Sequence, residues 1–398
     1  MKQPMGNPII TLKTKKDQSL RRFHPWVFSG AIKKIQGAPV NGGIVEVQSN
    51  HGEFLGLGHW AEGSIAVRVF SFENKEPESS FWLEKLRRAY DARRAVGLID
   101  STETTMYRLV HAEGDGMPGL IIDWYDGVAV MQAHSWGMHQ QFPQLIEGLQ
   151  ELYGDKLKAV YDKSAKTLKK SGAISEDGYL LKNNEPDLTA AEYGVKFEID
   201  WIEGQKTGFF IDQRENRRLL GEYAKGKSVL NTFCYTGGFS LFAMQAGAKT
   251  VHSLDSSARA LNLVTNNIKL NGYDDSNHKN IKADAVEYLK DLDQDYDIVI
   301  LDPPAFAKHM SARHQAIQGY KRINAHAIRQ IKPGGIIFTF SCSQAVDKQV
   351  FNHTITAAAI SAGRRVRILH QLHQPADHPI NIFHPEGEYL KGLVLLVE

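Results

Sequence analysis

From about Glu192 to the C-terminus, short apolar runs alternate with helical stretches, and this alternation limits the possible fold more than any other feature. The runs are Val229–Phe233, Thr250–Asp255, Asn280–Ala283, Asp297–Leu301 and Gly335–Ser341, with helices such as Gly238–Gln245 and Ser257–Leu270 between them. Arg365–Gln371 and Gly392–Glu398 read as two further strands. Five strand–helix repeats predict a parallel sheet with right-handed crossovers and helices on both faces. In an open sheet of this kind ligands bind beyond the carboxyl ends of the strands, so chemistry is to be sought there.

The strand ends are informative. After the first strand comes Asn231-Thr-Phe-Cys-Tyr-Thr-Gly-Gly-Phe239, leading into a helix. Gly237 and Gly238 let a ligand approach the backbone, and the helix start favours a carboxylate, although a plain tight turn has the same composition. The run lacks the full GxGxxG of dinucleotide sites. The second strand ends in Asp255, 17 residues beyond Gly238, where an acid can accept both ribose hydroxyls of a nucleoside cofactor. Asp284 follows the third strand and could meet an adenine amino group. Either carboxylate alone reads more readily as a surface charge or a helix cap than as a ligand; three ordered signals at three strand ends favour a cofactor site. The fourth strand ends Leu301-Asp302-Pro303-Pro304-Ala305-Phe306. Two prolines stiffen that loop, a planar base could stack on Phe306, and Asp302 could bond the edge of the base. The fifth strand ends Phe340-Ser341-Cys342-Ser343, which puts a thiol beside the Asp302 loop, since strands four and five are neighbours in this architecture. A lone cysteine is more often an inert core residue. Upstream, Gly204–Asn216 mixes polar groups with Phe209 and Phe210, which suits either a hairpin leading into a helix or a loop over the cofactor.

Ahead of this half, residues 1 to about 74 alternate apolar with polar residues in Gly43–Gln48, Phe54–Gly58 and Ser64–Phe70, which argues short strands in a small barrel. Residues 1–70 hold nine Lys/Arg against four Asp/Glu, with Lys13, Lys15, Lys16, Arg21 and Arg22 clustered. Such a patch can neutralise phosphates, or it can be a solvated surface. The charged stretch Glu73–Ser80 suits a linker. A helix is expected over Phe81–Val96 with Arg87, Arg88, Arg93 and Arg94 on its polar side, then a strand–turn–strand from Tyr107 to Met131 around Asp115-Gly-Met-Pro-Gly119. A helix over Met138–Leu152, a strand at Lys158–Tyr161 and an irregular connection or hairpin at Gly172–Asp187 complete a middle α/β unit.

Bulk properties exclude several classes. No apolar run reaches the roughly 18–20 residues of a membrane span. The first 16 residues lack the apolar stretch of a signal peptide. Two widely spaced cysteines make neither a disulfide framework nor a CxxC metal site, so no metal is expected and a reducing, cytoplasmic setting fits.

At these residues the sequence resembles the bacterial large-subunit (23S) ribosomal RNA cytosine-C5 methyltransferases with an N-terminal PUA domain. The resemblance covers nearly the whole chain. It rests on His24–Gly30, Gly56–Arg68 and Tyr107–Leu120, and most specifically on Gly204–Asn216, Asn231–Phe239, Asp302–Phe306 and Ser341–Ser343. It implies an α/β fold: a PUA-like β-barrel over residues 1–74, a middle α/β domain over 75–191, and a class I, Rossmann-like S-adenosylmethionine methyltransferase sheet over 192–398 ending in an antiparallel hairpin. It implies S-adenosylmethionine as cofactor, with Thr232 to Gly238 as the cofactor turn, Asp255 on the ribose, Asp284 on the adenine side and Cys342 as nucleophile. Further cofactor contacts are expected at Gln213, Thr232, Phe233, Tyr235, Ser256, Ala285 and Asp302, with Asp302 also catalytic. RNA contacts are expected at Lys15, Lys16, Arg21, Arg22, Pro303, Pro304 and Phe306. Some RNA cytosine methyltransferases carry a second cysteine after the fourth-strand proline; this chain has none, which implies one catalytic thiol. RNA is the expected partner, with no membrane; a homodimer stays open. Two rivals stand beside this reading: an adenine-N6 methyltransferase, which needs no thiol, and a non-catalytic RNA-binding protein with a vestigial cofactor site.

Overall fold

In the computed structural model, the described residues are 6–75, 77–169, 174–292, 295–307 and 309–398. The chain divides into two compact units. The first comprises Met1–Ala190, Ile199–Ile211 and Ala376–Gly387. The second comprises Ala191–Glu198, Asp212–Pro375 and Glu388–Glu398. Among the described residues no helix is long and apolar enough to cross a membrane.

The first unit begins with β1 (Ile9–Leu12), α1 (Gln18–Arg21), β2 (Trp26–Phe28), β3 (Ile32–Gln36), β4 (Ile44–Gln48), β5 (Phe54–Trp60) and β6 (Ile65–Ser71). The six strands form one sheet in the order β2-β6-β5-β4-β1-β3. The alternation noted in the sequence is the reason for its core. Ile10, Leu12, Val45, Val47, Val67 and Val69 face one cluster, and Thr11, Glu46 and Arg68 between them are half-buried. The first three strands carry too short a pattern to be read from sequence. The expected linker Glu73–Ser80 includes residue 76, which lies outside the described residues.

Next come α2 (Ser79–Ala95), β7 (Met106–His111), β8 (Leu120–Tyr125), β9 (Val128–Ala133), α3 (Trp136–His139), α4 (Phe142–Tyr153), β10 (Ala159–Asp162), α5 (Ala165–Leu168) and β11 (Gly178–Lys182). The strands form a five-stranded sheet, β11-β10-β9-β8-β7, over a core that includes Trp82, Leu86, Leu109 and Leu145. Three sequence expectations change here. The strand–turn–strand is three strands, because Asp126-Gly127 makes a tight reversal, Asp126 with φ 42° and Gly127 with φ 102°. The single helix over Met138–Leu152 is two, the second opening at Phe142 with Pro143 in its first turn. Arg93 is not on a polar face. Its side chain is 1% exposed and pairs bidentately with Asp115 while donating to the Asp377 carbonyl at 2.6 Å. A buried guanidinium needs such partners, and a helical period cannot foresee a partner 284 residues away. Of the described part of Gly172–Asp187, Gly178–Lys182 is the single strand β11, which pairs antiparallel with β10 and not with a second strand of the same stretch; residues 172 and 173 lie outside the described residues.

The hairpin β12 (Thr189–Glu192) and β13 (Val195–Glu198) and α6 (Arg214–Ala224) lead to the main sheet. Its elements are β14 (Ser228–Thr232), α7 (Gly238–Gln245), β15 (Thr250–Asp255), α8 (Ala258–Leu270), β16 (His278–Lys282), α9 (Ala285–Tyr288), β17 (Ile298–Leu301), α10 (Arg313–Gln330), β18 (Gly335–Ser341), α11 (Lys348–Ala362), β19 (Val366–His373) and β20 (Lys391–Val397). The order is β16-β15-β14-β17-β18-β20-β19. The first five strands are parallel, and β20 runs antiparallel to both neighbours. Along β17 and β18 alternate residues serve two cores. Val299, Leu301 and Ile337 pack with residues of α10 and α11, while Ile298, Ile300, Phe338 and Phe340 pack with residues of α6 and α7.

Candidate functional site

Because five strands run parallel and in register, Thr232, Asp255, Lys282, Leu301 and Ser341 end along one edge of the sheet. The segments that follow them carry the residues singled out by sequence. After β14 the chain folds back on itself. Phe233, Tyr235 and Gly237 all have left-handed backbone conformations, with φ of 55°, 47° and 83°. Two non-glycine residues in that region mark a turn fixed by its surroundings. Those surroundings are visible: Cys234 N donates to the Leu254 carbonyl at 3.1 Å, Gly237 N donates to the Cys234 carbonyl at 2.8 Å, and Asn267 Nδ2 donates to the Thr236 carbonyl at 3.0 Å. Thr232 Oγ1 donates to the Ile300 carbonyl at 2.6 Å, tying β14 to β17. Gly238 opens α7 beside Arg217, whose Cδ would lie 2.9 Å from any added Cβ. That arginine is buried and paired bidentately with Glu192 at 2.8 and 2.7 Å, so it has little freedom to yield.

Asp255 is half-buried at the end of β15. One carboxylate oxygen accepts the Tyr235 N–H at 3.1 Å and the other the Ser257 N–H at 2.9 Å. It therefore joins the β14 turn to the next strand end, with Ser256 exposed beside it. Asp284 is exposed and caps α9, its Oδ1 accepting from Val286 N at 2.8 Å and Glu287 N at 3.0 Å. Ala285 is buried behind it. The helix-cap alternative weighed for Asp284 is thus real, and it uses one carboxylate oxygen. Gln213 is buried at the start of α6, where its Oε1 accepts from Asn216 Nδ2 at 2.6 Å. The stretch Gly204–Asn216 is divided. Residues 204–211 belong to the first unit, where Thr207 Oγ1 donates to Asp123 Oδ2 at 2.5 Å, and residues 212–216 belong to the second.

At the end of β17, Asp302 is half-buried, Pro303 buried and Pro304 exposed. Phe306 is partly exposed. One side of its ring leans on Tyr320 of α10, with centroids 4.7 Å apart, and on Gly319. Burial pushes the Tyr320 phenol up to about 12, and Cys342 and Asp302 are among the charges that act on it. Ser343 Oγ donates to the Ala307 carbonyl at 2.5 Å, so the segments after β17 and β18 are bonded to each other just beyond Cys342 and Asp302. Opposite the end of β18, Ser341 pairs with Lys391 of β20. Lys391 is 5% exposed and donates to the carbonyls of Ser343 and Tyr389, each at 2.7 Å.

The two thiols differ. Cys234 is 5% exposed and packs against Leu261, Val264 and Ile268. Burial, and after it the charge of Asp255, pushes its thiol well above the ordinary cysteine value. Cys342 is partly exposed.

Lys15, Lys16, Arg21 and Arg22 lie on the surface of the first unit. Arg21 is committed to acids, pairing with Asp17 at 2.7 Å and with both oxygens of Glu53, so it offers less net charge than the other three. One group of possible metal ligands gathers in the same unit. His24 Nε2 is 3.4 Å from Glu386 Oε1, with His384 alongside. The Trp26 N–H donates to His24 Nδ1, which puts the proton of a neutral ring on Nε2, facing the carboxylate.

Sequence reading passed over Arg217, Tyr320 and Lys391. Lys391 left one signal, a lysine opening the otherwise apolar run Gly392–Val397. Arg217 and Tyr320 left none, since a helical period does not distinguish a buried charge or phenol from its neighbours.

A carboxylate at the end of β15, backbone N–H groups at the start of α7 and a second carboxylate after β16 are the donors and acceptors that suit a nucleoside carrying an amino-acid arm. Comparison with known proteins agrees. The family described as S-adenosylmethionine-dependent methyltransferase matches residues 107–382, and a PUA-like domain family matches residues 10–72. The chain is 40% identical over 395 residues to ribosomal RNA large subunit methyltransferase I of Shewanella amazonensis, covering 98% of this chain and 99% of that one. It is 38% identical over 394 residues to the protein of the same name from Aeromonas hydrophila, covering 97% and 98%. In fold it is similar to a Streptococcus mutans protein described as a SAM-dependent methyltransferase, with a TM-score of 0.83 and 21% identity over 98% of this chain and 99% of that one. It is similar also to SMU.776, solved in complex with SAH, with a TM-score of 0.84 and 22% identity over the same shares. The chain therefore belongs to the family of S-adenosylmethionine-dependent methyltransferases that carry a PUA-like domain, and S-adenosylmethionine is its cofactor.

Proposed function

We propose that the protein methylates carbon 5 of a cytosine in large-subunit ribosomal RNA, with Cys342 as the nucleophile. The observation that carries this reading is a partly exposed thiol on the sheet edge beside the Asp302-Pro-Pro loop, bonded to that loop through Ser343 and Ala307. Transfer to an exocyclic amine would need no thiol. The relatives' name supports the class of RNA, and the basic surface at Lys15, Lys16 and Arg22, with Arg21 beside it, suits phosphate contacts.

Bound S-adenosylmethionine supplies an electrophilic methyl group. Its holders in this reading are Thr232, Phe233, Tyr235, Gly237 and Gly238 around the amino-acid arm, Asp255 with Ser256 at the ribose, and Asp284 with Ala285 at the adenine. Gln213 and Asp302 complete the set. Cytosine C5 is a weak nucleophile. Addition of the Cys342 thiolate to C6 breaks the C5–C6 double bond and makes C5 electron-rich enough to take the methyl group. Loss of the C5 proton then restores the double bond and expels the thiolate. Asp302, entering with its proton, donates it toward N3 as negative charge builds on the ring and takes it back when the thiolate leaves. Pro303 and Pro304 hold that loop stiff and Phe306 offers the base an aromatic edge. Residues 1–74 act as the RNA-binding domain, 75–191 as a middle domain and 192–398 as the catalytic domain, in a protein of the cytoplasm.

Nucleoside mass spectrometry of RNA treated with the protein and S-adenosylmethionine tests this reading. 5-Methylcytosine is the expected product; 6-methyladenine, or no product on ribosomal RNA, would overturn it. RNA with 5-fluorocytosine at the target should trap a covalent adduct on Cys342, because fluorine cannot leave as the C5 proton does.

A further inference from the structure

We propose that Lys391 is a positioning residue for the reaction: its ammonium, pinned beside Cys342, holds the thiol in its ionised form for attack on the base. The inference rests on Cys342 being the nucleophile. Because β20 runs antiparallel to β18, its first residue lies at the edge where the parallel strands end, and Lys391 pairs with Ser341, the residue before Cys342. Its Nζ donates to the Ser343 carbonyl at 2.7 Å, the residue after Cys342, and to the Tyr389 carbonyl at 2.7 Å. The lysine thus brackets the thiol from both sides in sequence.

A lysine that is 5% exposed is a costly choice for the start of a strand whose remaining residues, Gly392 to Val397, are all apolar. Its hydrogen-bond partners are main-chain carbonyls, and among the described residues no carboxylate lies within ion-pair distance of it. Carbonyls fix the ammonium in place but carry no net charge to offset its own, and they use two of its three donors. Burial pushes Lys391 down to about 8. The charges that work against that shift are Cys342 first, then Glu388 and Asp347. Tyr320 of α10 faces both this thiol and Asp302 of the β17 loop. Attraction between two titrating groups is mutual. A thiolate that helps Lys391 keep its proton is itself stabilised by the ammonium, and an adjacent cation lowers a cysteine by about 1–3 units. Near neutral pH most of Lys391 remains charged, so the support is present where the enzyme works. An unperturbed thiol supplies only a few per cent thiolate at about pH 7.

The test is the pH dependence of Cys342 alkylation by iodoacetamide, followed by peptide mass spectrometry on the full chain between about pH 6 and 10. Wild-type, Lys391→Gln and Lys391→Arg proteins are compared, with S-adenosylmethionine binding as the check on folding. In the wild type the midpoint should lie below about 8, and in Lys391→Gln it should rise by about one unit, slowing alkylation about tenfold at neutral pH. Lys391→Arg keeps the charge and should keep the wild-type midpoint. The pH profile of methyl transfer should move with the thiol in each variant. A wild-type midpoint at or above about 8.5, or an unmoved midpoint in folded Lys391→Gln, overturns the proposal even if Cys342→Ala is inactive. Should Lys391→Gln not fold, the wild-type midpoint and that of Lys391→Arg decide. Full methyl transfer by Cys342→Ala would instead remove the nucleophile reading itself, whatever the titration shows.

Discussion

The ends of β14 and β18 invite comparison because each is followed by a cysteine at the same edge of the same sheet. Their surroundings are opposite. Cys234 sits in a turn laced by backbone hydrogen bonds and packs on Leu261, Val264 and Ile268 of α8, where burial and the Asp255 carboxylate both oppose ionisation. Cys342 is partly exposed, flanked by two serines, and has a buried ammonium held at its shoulder. Topology brings both thiols to the ligand edge; the groups packed around each decide which can be a thiolate. In the proposed reading, the same contrast separates the cofactor turn from the strand end that meets the base.

The largest expected effect tests that contrast directly. Cys342→Ala should lower methyl transfer on the order of a thousand-fold or more while leaving cofactor binding nearly intact, since it removes the attacking atom. Cys234→Ala should retain turnover within a few-fold. Radiolabelled methyl incorporation into RNA measures both, and the reverse pattern would exchange the roles of the two strand ends.

Next in size is Asp255→Asn. It removes the acceptor charge beside the Cys234 turn, at a cost of about 1.5–3 kcal/mol, or about 10–150-fold in S-adenosylmethionine affinity by calorimetry. Unchanged affinity would mean that the turn, and not the acid, carries the cofactor.

Smaller again is the difference in thiol reactivity. At about pH 8 Cys342 should be alkylated at least about tenfold faster than Cys234 in the native protein, because the Cys234 thiol stays protonated well past that pH. Equal rates would dissolve the comparison.

The smallest effect lies away from both thiols. Replacing Lys15, Lys16 or Arg22 with Gln should each flatten the dependence of RNA affinity on salt by about 0.7–0.9 of a slope unit. Arg21→Gln should do less, since Asp17 and Glu53 already answer its charge. An Arg21 effect equal to the others would show that RNA displaces those acids.

Much of the sheet is legible in the sequence. Thr250–Asp255, Gly335–Ser341 and Gly238–Gln245 have the bounds that apolar periodicity and the glycine pair had suggested. Where the reading changed, the cause lay in distant partners. Arg93 looked solvent-facing because a helix period counts positions, and its bonds to Asp115 and to the Asp377 carbonyl come from other parts of the chain. Asp284 was no such case: it caps α9 through Val286 N and Glu287 N, the local alternative that the sequence already offers beside a ligand role.

The sequence alone determined the alternation that makes a parallel sheet, and with it which residues fall at strand ends: Cys234, Asp255, Asp284, Asp302 and Cys342. Periodicity encodes that information locally, because burial on two faces demands apolar residues at fixed intervals. Only the tertiary structure decided that Cys234 is sealed beneath α8 and that Lys391, 49 residues beyond Cys342, returns on an antiparallel strand to stand beside it. The electrostatics of a thiol depend on what is packed within a few ångströms in space, and that neighbourhood is set by long-range pairing that local sequence does not record.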